Sequence, residues 1–100
     1  MLDVDLQEDT ENTLLERELA ITASHISDWE QLAHSLNVAE CVHEIQEKFR
    51  RSRIECCLRM LRVWYREYTS CRRPETPRAH LTRQLRESGY LGIASFLETG

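Results

Sequence analysis

Proline and glycine are scarce in this sequence: two prolines and three glycines in 100 residues, and one of the glycines is the last residue. So few chain breakers leave room for long uninterrupted helices. No strand signal, internal repeat or low-complexity tract is present. Long apolar runs are missing too. None approaches the roughly 20 residues of a membrane-spanning helix, and the opening Met-Leu-Asp-Val-Asp-Leu lacks the basic start and apolar stretch of a secretory signal. The expectation is a soluble, cytoplasmic chain without a membrane span.

The sequence also lacks the spacings that carry common chemistry. Its four cysteines (Cys41, Cys56, Cys57, Cys71) form no C-x-x-C or zinc-finger pattern, and the adjacent Cys56 and Cys57 sit awkwardly in a disulfide framework. Reduced thiols fit better, although an even count leaves a secreted, disulfide-bonded alternative open. The four histidines (His25, His34, His43, His80) have no metal-ligand spacing, and no glycine-rich phosphate loop occurs. Cys41 and His43 point to different faces of one helix. A helical bundle of this size also offers little room for a substrate cleft. No enzymatic activity, metal or cofactor is expected. Cys57 reads as a small buried hydrophobe, and Cys71, among Arg72 and Arg73, is the thiol placed for a lowered pKa.

What the sequence does have is a division of charge. Residues 1–47 hold 12 acidic and one basic residue (−11), and residues 48–100 hold 5 acidic and 12 basic (+7), which together give the net −4. Two oppositely charged surfaces on one module can attract copies or relatives of it, and they speed encounter in a salt-dependent way.

A hydrophobic content of 41% with 30% charge is ordinary for a globular chain, and 100 residues make one domain. Residues 1–12 read as an acidic, mobile lead-in, and the domain spans 13–100. From Thr13 onward, a Ser, Thr or Asn followed three residues later by Glu marks a helix start four times. Thr13 opens a first helix with Leu15, Leu19, Ala23 and Ile26 on one stripe. Ser27 opens a second with Trp29, Leu32, Ala33 and Leu36, and Asn37 a third with Val38, Val42, Ile45 and Phe49. Ser52 opens the longest, where Ile54, Cys57, Leu58, Leu61, Trp64, Tyr65 and Tyr68 form the apolar face.

A loop from Cys71 ends at Thr76-Pro77, an N-cap with proline in the first helical position. The fifth helix carries Ala79, Leu81 and Leu85, and Gly89 closes it in the left-handed conformation. A sixth follows with Leu91, Ile93, Ala94, Phe96 and Leu97. The expected core is Trp29, Leu32, Leu36, Ile45, Leu58, Leu61, Trp64 and Leu85. The expected class is all-α, a six-helix antiparallel bundle.

Over about 85 of the 100 positions the sequence resembles the death-domain family. W-x-x-L-A-x-x-L in the second helix (Trp29, Leu32, Ala33, Leu36) and M-L-x-x-W in the fourth (Met60, Leu61, Trp64) match its core anchors. Within the family it is similar to the C-terminal death domains of ankyrins. The Thr69 to Glu75 connection departs from the family pattern, being longer, Arg-rich and free of glycine. The resemblance implies the death fold, with its helices in a Greek-key arrangement. It also implies a protein-protein interaction module that recruits other death-domain proteins, heterotypically or homotypically, into signalling assemblies of the apoptotic, inflammatory or NF-kappa-B type.

Two charged faces are the candidate interaction sites. Arg59, Arg62 and Arg66 recur at helical spacing, with Arg72 and Arg73 just beyond. Glu40, Glu44 and Glu47 recur likewise, and Asp28 and Glu30 lie in the first turn of the second helix. Part of this has a local explanation, since Glu55 can pair with Arg59 and Glu44 with Lys48. In the family, unlike patches join asymmetrically and build open assemblies or oligomers. Two alternatives stand beside this. A basic face extended by Arg50, Arg51 and Arg53 would bind nucleic acid or anionic lipid, although no nucleic-acid recognition module appears. The other is a structural domain of a larger cytoskeletal protein.

Overall fold

The computed structural model describes residue 14, residues 16–71 and residues 73–99. The expected lead-in at 1–12, the Thr13 cap, Leu15 and Arg72 lie outside the described residues. Six α-helices follow in order: α1 (Glu16–His25), α2 (Trp29–Ser35), α3 (Val42–Phe49), α4 (Arg53–Ser70), α5 (Pro77–Glu87) and α6 (Leu91–Thr99), with a 3-10 turn at Ala39–Cys41 before α3. No strand occurs among the described residues. The regular structure of the described residues is all-helical. α4 packs against α1, α2, α3 and α5, and α6 packs chiefly on α5.

Capping explains where these helices start. Ser52 Oγ accepts from Glu55 N at 3.1 Å and Thr76 Oγ1 from Ala79 N at 3.1 Å, with Pro77 directly after, as the sequence requires. At the second helix the cap moves by one residue. Asp28, not Ser27, accepts from Gln31 N at 3.2 Å, because Ser27 Oγ is turned to the Tyr90 hydroxyl, 3.2 Å away. That hydroxyl also accepts from Asp28 N at 3.1 Å, so the α1–α2 corner is tied to the residue preceding α6.

The expectation for Asn37 is corrected. It does not open the third helix; it closes the second. Asn37 has φ 66, and the hydrogen bonds Asn37 N to His34 O (3.1 Å) and Val38 N to Ala33 O (2.9 Å) form a Schellman ending around it. Asn is among the few residues that tolerate this conformation. The chain then passes through the 3-10 turn, so α3 begins at Val42 without a side-chain cap on Cys41. Gly89 ends α5 in the same way with φ 94, Tyr90 N bonding to Leu85 O at 2.8 Å.

One core joins all six helices. It includes Leu19, Ala23 and Ile26, Trp29, Leu32 and Leu36, Ile45, Cys57, Met60, Leu61 and Trp64, Leu81 and Leu85, and Ile93, Ala94 and Leu97. Of the expected core residues, Leu58 is only half-buried. α3 covers the Cys56 side of α4, where Cys56 Sγ lies 3.1 Å from Phe49 O, and this turns the buried arc toward Cys56 and Met60 and away from Leu58. Ile54, Leu91 and Phe96 are expected inward too, but they stand 43%, 61% and 40% exposed, and Ala79 is exposed. Ile54 and Leu91 occupy the first turns of their helices, where neighbours cover less.

Candidate interaction faces

The three arginines of α4 have different surroundings. Arg59 donates to Glu55 Oε2 at 2.7 Å, the expected partner one turn earlier, and its guanidinium lies 4.8 Å over the Phe49 ring. Arg62 is bound across helices. Its Nε donates to Glu16 Oε2 at 2.8 Å and its Nη2 reaches the same oxygen, joining α4 to α1. Arg66 is exposed, and its guanidinium makes no ion pair among the described residues. Arg50 and Arg51, between α3 and α4, are exposed and unpaired in the same sense, whereas Arg53 donates to Ile26 O at 2.6 Å. Arg73 lies 4.6 Å over the Tyr68 ring.

The acidic residues fall on two elements rather than one. Glu40 is on the 3-10 turn, and Glu44 and Glu47 are on α3. Glu44 pairs with Lys48 at 3.9 Å and Glu47 with His43 at 3.3 Å when the imidazole is protonated. These contacts between exposed groups contribute little, about 0.3–0.5 kcal/mol each. Asp28 is committed to capping α2. Glu30 and Glu40 are exposed without an ion pair among the described residues. Trp29, His43, Gln46, Glu47, Arg50, Arg53 and Cys56 line a cleft of about 440 Å³.

A third cluster surrounds the start of α5. Trp64 and His80 stack at 6.1 Å with 16° between their planes, and Tyr68 lies 4.9 Å from His80. The Tyr68 hydroxyl donates to Glu75 O at 2.7 Å. Glu75 receives Arg83 through both carboxylate oxygens, at 3.2 and 2.8 Å, and lies 3.4 Å from His80 Nδ1. The bonds from Arg83, supported by His80, hold the Glu75 carboxyl below its ordinary range. This clamp spans the α4–α5 connection, tying Tyr68 at the end of α4 and Arg83 on α5 to Glu75 between them.

Glu18 on α1 and Arg78 on α5 form an ion pair at 2.7 Å that no sequence pattern signals. Glu18 resembles an ordinary acidic residue in a first helical turn, and nothing local in the sequence reveals that Arg78 reaches it. All four cysteines are free; Cys56 and Cys57 are buried, and Cys71 is exposed. Burial pushes the Cys57 thiol up to about 12, which keeps it neutral. Among the described residues no group of His, Cys, Asp or Glu is placed to hold a metal ion, and no helix is long and apolar enough to cross a membrane. Compared with protein-family models, curated proteins and solved structures, the chain matches none.

Proposed function

We propose that this chain is a non-enzymatic recruitment module of the cytoplasm: an antiparallel six-helix bundle of the death fold, with Greek-key helix order. It gathers other death-domain proteins, or copies of itself, into signalling assemblies. The observation that carries the reading is the burial of both motif tryptophans, Trp29 at 6% and Trp64 at 2% exposure, together with Leu32, Ala33, Leu36, Met60 and Leu61. The residues that carry the resemblance thus serve as core, and the unpaired charges remain outside. The contact surfaces of the proposal are the Arg66 side of α4, flanked by Arg59 and Arg62, and the Glu30, Glu40, Glu44 and Glu47 side of α2 and α3.

Arg66 is the better probe than Arg62, because reversing Arg62 also breaks its bond to Glu16 within the domain. The test is affinity capture from nuclease-treated cytosol with wild type, Arg66→Glu and the double variant Glu44→Arg/Glu47→Arg. Death-domain proteins retained by wild type, lost with either reversal and released as salt screens the contact support the reading. Unchanged capture by both variants overturns it. Retention of labelled nucleic acid or anionic vesicles that is lost with Arg50→Glu/Arg51→Glu would replace it with the basic-face alternative.

A further inference from the structure

His80 Nδ1 sits between a donor and an acceptor, and it can serve only one of them. Arg83 Nη2 lies 3.3 Å from it and Glu75 Oε1 lies 3.4 Å from it. An unprotonated Nδ1 accepts from the guanidinium, whereas a protonated Nδ1 donates to the carboxylate and sets an N–H against Arg83. The same Nη2 donates to Glu75 Oε1 at 2.8 Å. The three groups therefore close a triangle only while Nδ1 carries no proton.

The surroundings of the ring accept both charge states. Its side chain is 20% exposed, so water reaches it only in part. Its faces meet Trp64 at 6.1 Å and Tyr68 at 4.9 Å, and aromatic faces favour a cation. The Tyr68 phenol, raised by burial, stays neutral while an imidazole titrates, and the Glu75 carboxyl, held low chiefly by Arg83, stays ionised. Glu67 of α4 and Arg73 of the connection line one cavity with His80 and bring opposite charges, whereas the Ser35–Val38 turn on its other side brings no titratable group. Cys71 lines a second hollow beside the ring. On α5, Glu87 lies 3.9 Å from Arg83 Nη1 and offers the guanidinium a second carboxylate.

We propose that His80 is a proton-operated latch on the α4–α5 connection: with Nδ1 free it helps hold Arg83 on Glu75, and with Nδ1 protonated it takes Glu75 for itself and releases Arg83. The inference does not rest on the recruitment reading. Imidazole is the side chain that changes charge between about pH 5 and 8, so the latch needs no strong acid. Acid loosens the tie from Glu75 to α5 but leaves the Tyr68 hydroxyl on Glu75 O. The segment it loosens carries the exposed Cys71, Arg73 and Pro74, and the latch thus makes that surface sensitive to pH.

The intact ¹⁵N-labelled chain is followed by NMR from about pH 8 to about pH 5. His80→Gln and Arg83→Gln identify the ring signals and the Arg83 Nε–H signal by their loss. At the alkaline end the His80 ring carries its proton on Nε2, and on acidification the Arg83 signal moves with the same midpoint as the ring. Glu75→Gln, checked by the rest of its spectrum for an intact fold, lowers the proton affinity of His80 about tenfold because the facing anion is gone. Arg83→Gln raises it. An Arg83 signal that stays still in wild type while His80 titrates overturns the proposal without recourse to any variant. So does a neutral ring with its proton on Nδ1, or an unchanged midpoint in folded Glu75→Gln.

Discussion

Arg78 embraces Glu18 through the two terminal nitrogens of its guanidinium, Nη1 to Oε2 at 2.7 Å and Nη2 to Oε1 at 2.8 Å, with Glu18 only 5% exposed. Nη1 also donates to Leu97 O at 2.9 Å. One side chain of α5 therefore fastens α1 to α6. Two charges removed from water need this kind of geometry, in which each oxygen is met by an N–H, because desolvation offsets most of their attraction.

Breaking that pair from one side should be costly. Glu18→Ala or Arg78→Ala strands a buried charge, and each is expected to lose about 3–5 kcal/mol in urea unfolding. The double variant Glu18→Leu/Arg78→Met should lose less than either single change, since it leaves no unpaired charge. A double variant whose loss equals the sum of the singles would show that the pair is not coupled.

Trp29 and Trp64 are expected to cost about 3–5 kcal/mol each on replacement by Ala, because no neighbouring side chain can refill an indole-sized space. That is a large share of the roughly 5–15 kcal/mol typical of such a domain. An unchanged melting temperature in either variant contradicts its place in the core.

Asn37 makes a prediction opposite to that of a helix opener. As the left-handed residue that ends α2, it should tolerate Gly with little change, whereas Asn37→Ala costs about 1 kcal/mol, because Ala keeps the Cβ that crowds the following carbonyl and loses the short polar side chain that lets Asn adopt this conformation. If Asn37 capped a helix through its side chain, Asn37→Ser would keep the cap and the stability, whereas at a left-handed ending it costs about as much as Asn37→Ala. Chemical denaturation of the Gly, Ala and Ser variants separates the cases.

Cys57 sets an alkaline limit on stability. Its thiol has an ordinary value of 9.0 when unfolded and is pushed up to about 12 by burial in the fold. The folded state therefore binds more protons at high pH. The contribution of the neutral thiol is complete below about pH 9 and declines toward about pH 12, by about 1.4 kcal/mol per unit. Unfolding free energy should fall over pH 9–10.5 in wild type and less steeply in Cys57→Ala. The Tyr68 phenol, also raised by burial, adds a decline of the same sign at higher pH. At neutral pH, N-ethylmaleimide should label exposed Cys71 first and buried Cys57 only on unfolding.

The sequence by itself determined what depends on neighbours a few positions apart. The scarcity of breakers, the Ser52 and Thr76 caps, the Gly89 ending and the 3.6-residue stripes through Trp29 and Trp64 act within one or two turns, and their physics is local. They were enough for six helices and most of the core. The tertiary structure alone decided what depends on distant partners. Tyr90 drew Ser27 away from the cap, α3 turned the buried arc of α4 past Leu58, and Arg62 spent its charge on Glu16, 46 positions away. Glu18 and Arg78 are separated by 60 positions, and no periodicity or local propensity encodes that they meet. Nor could it show that packing would enclose the Trp64 N–H without an acceptor. A side chain's type is written in the sequence, but whether its charge or donor remains unspent depends on which partners the fold brings within about 3 Å.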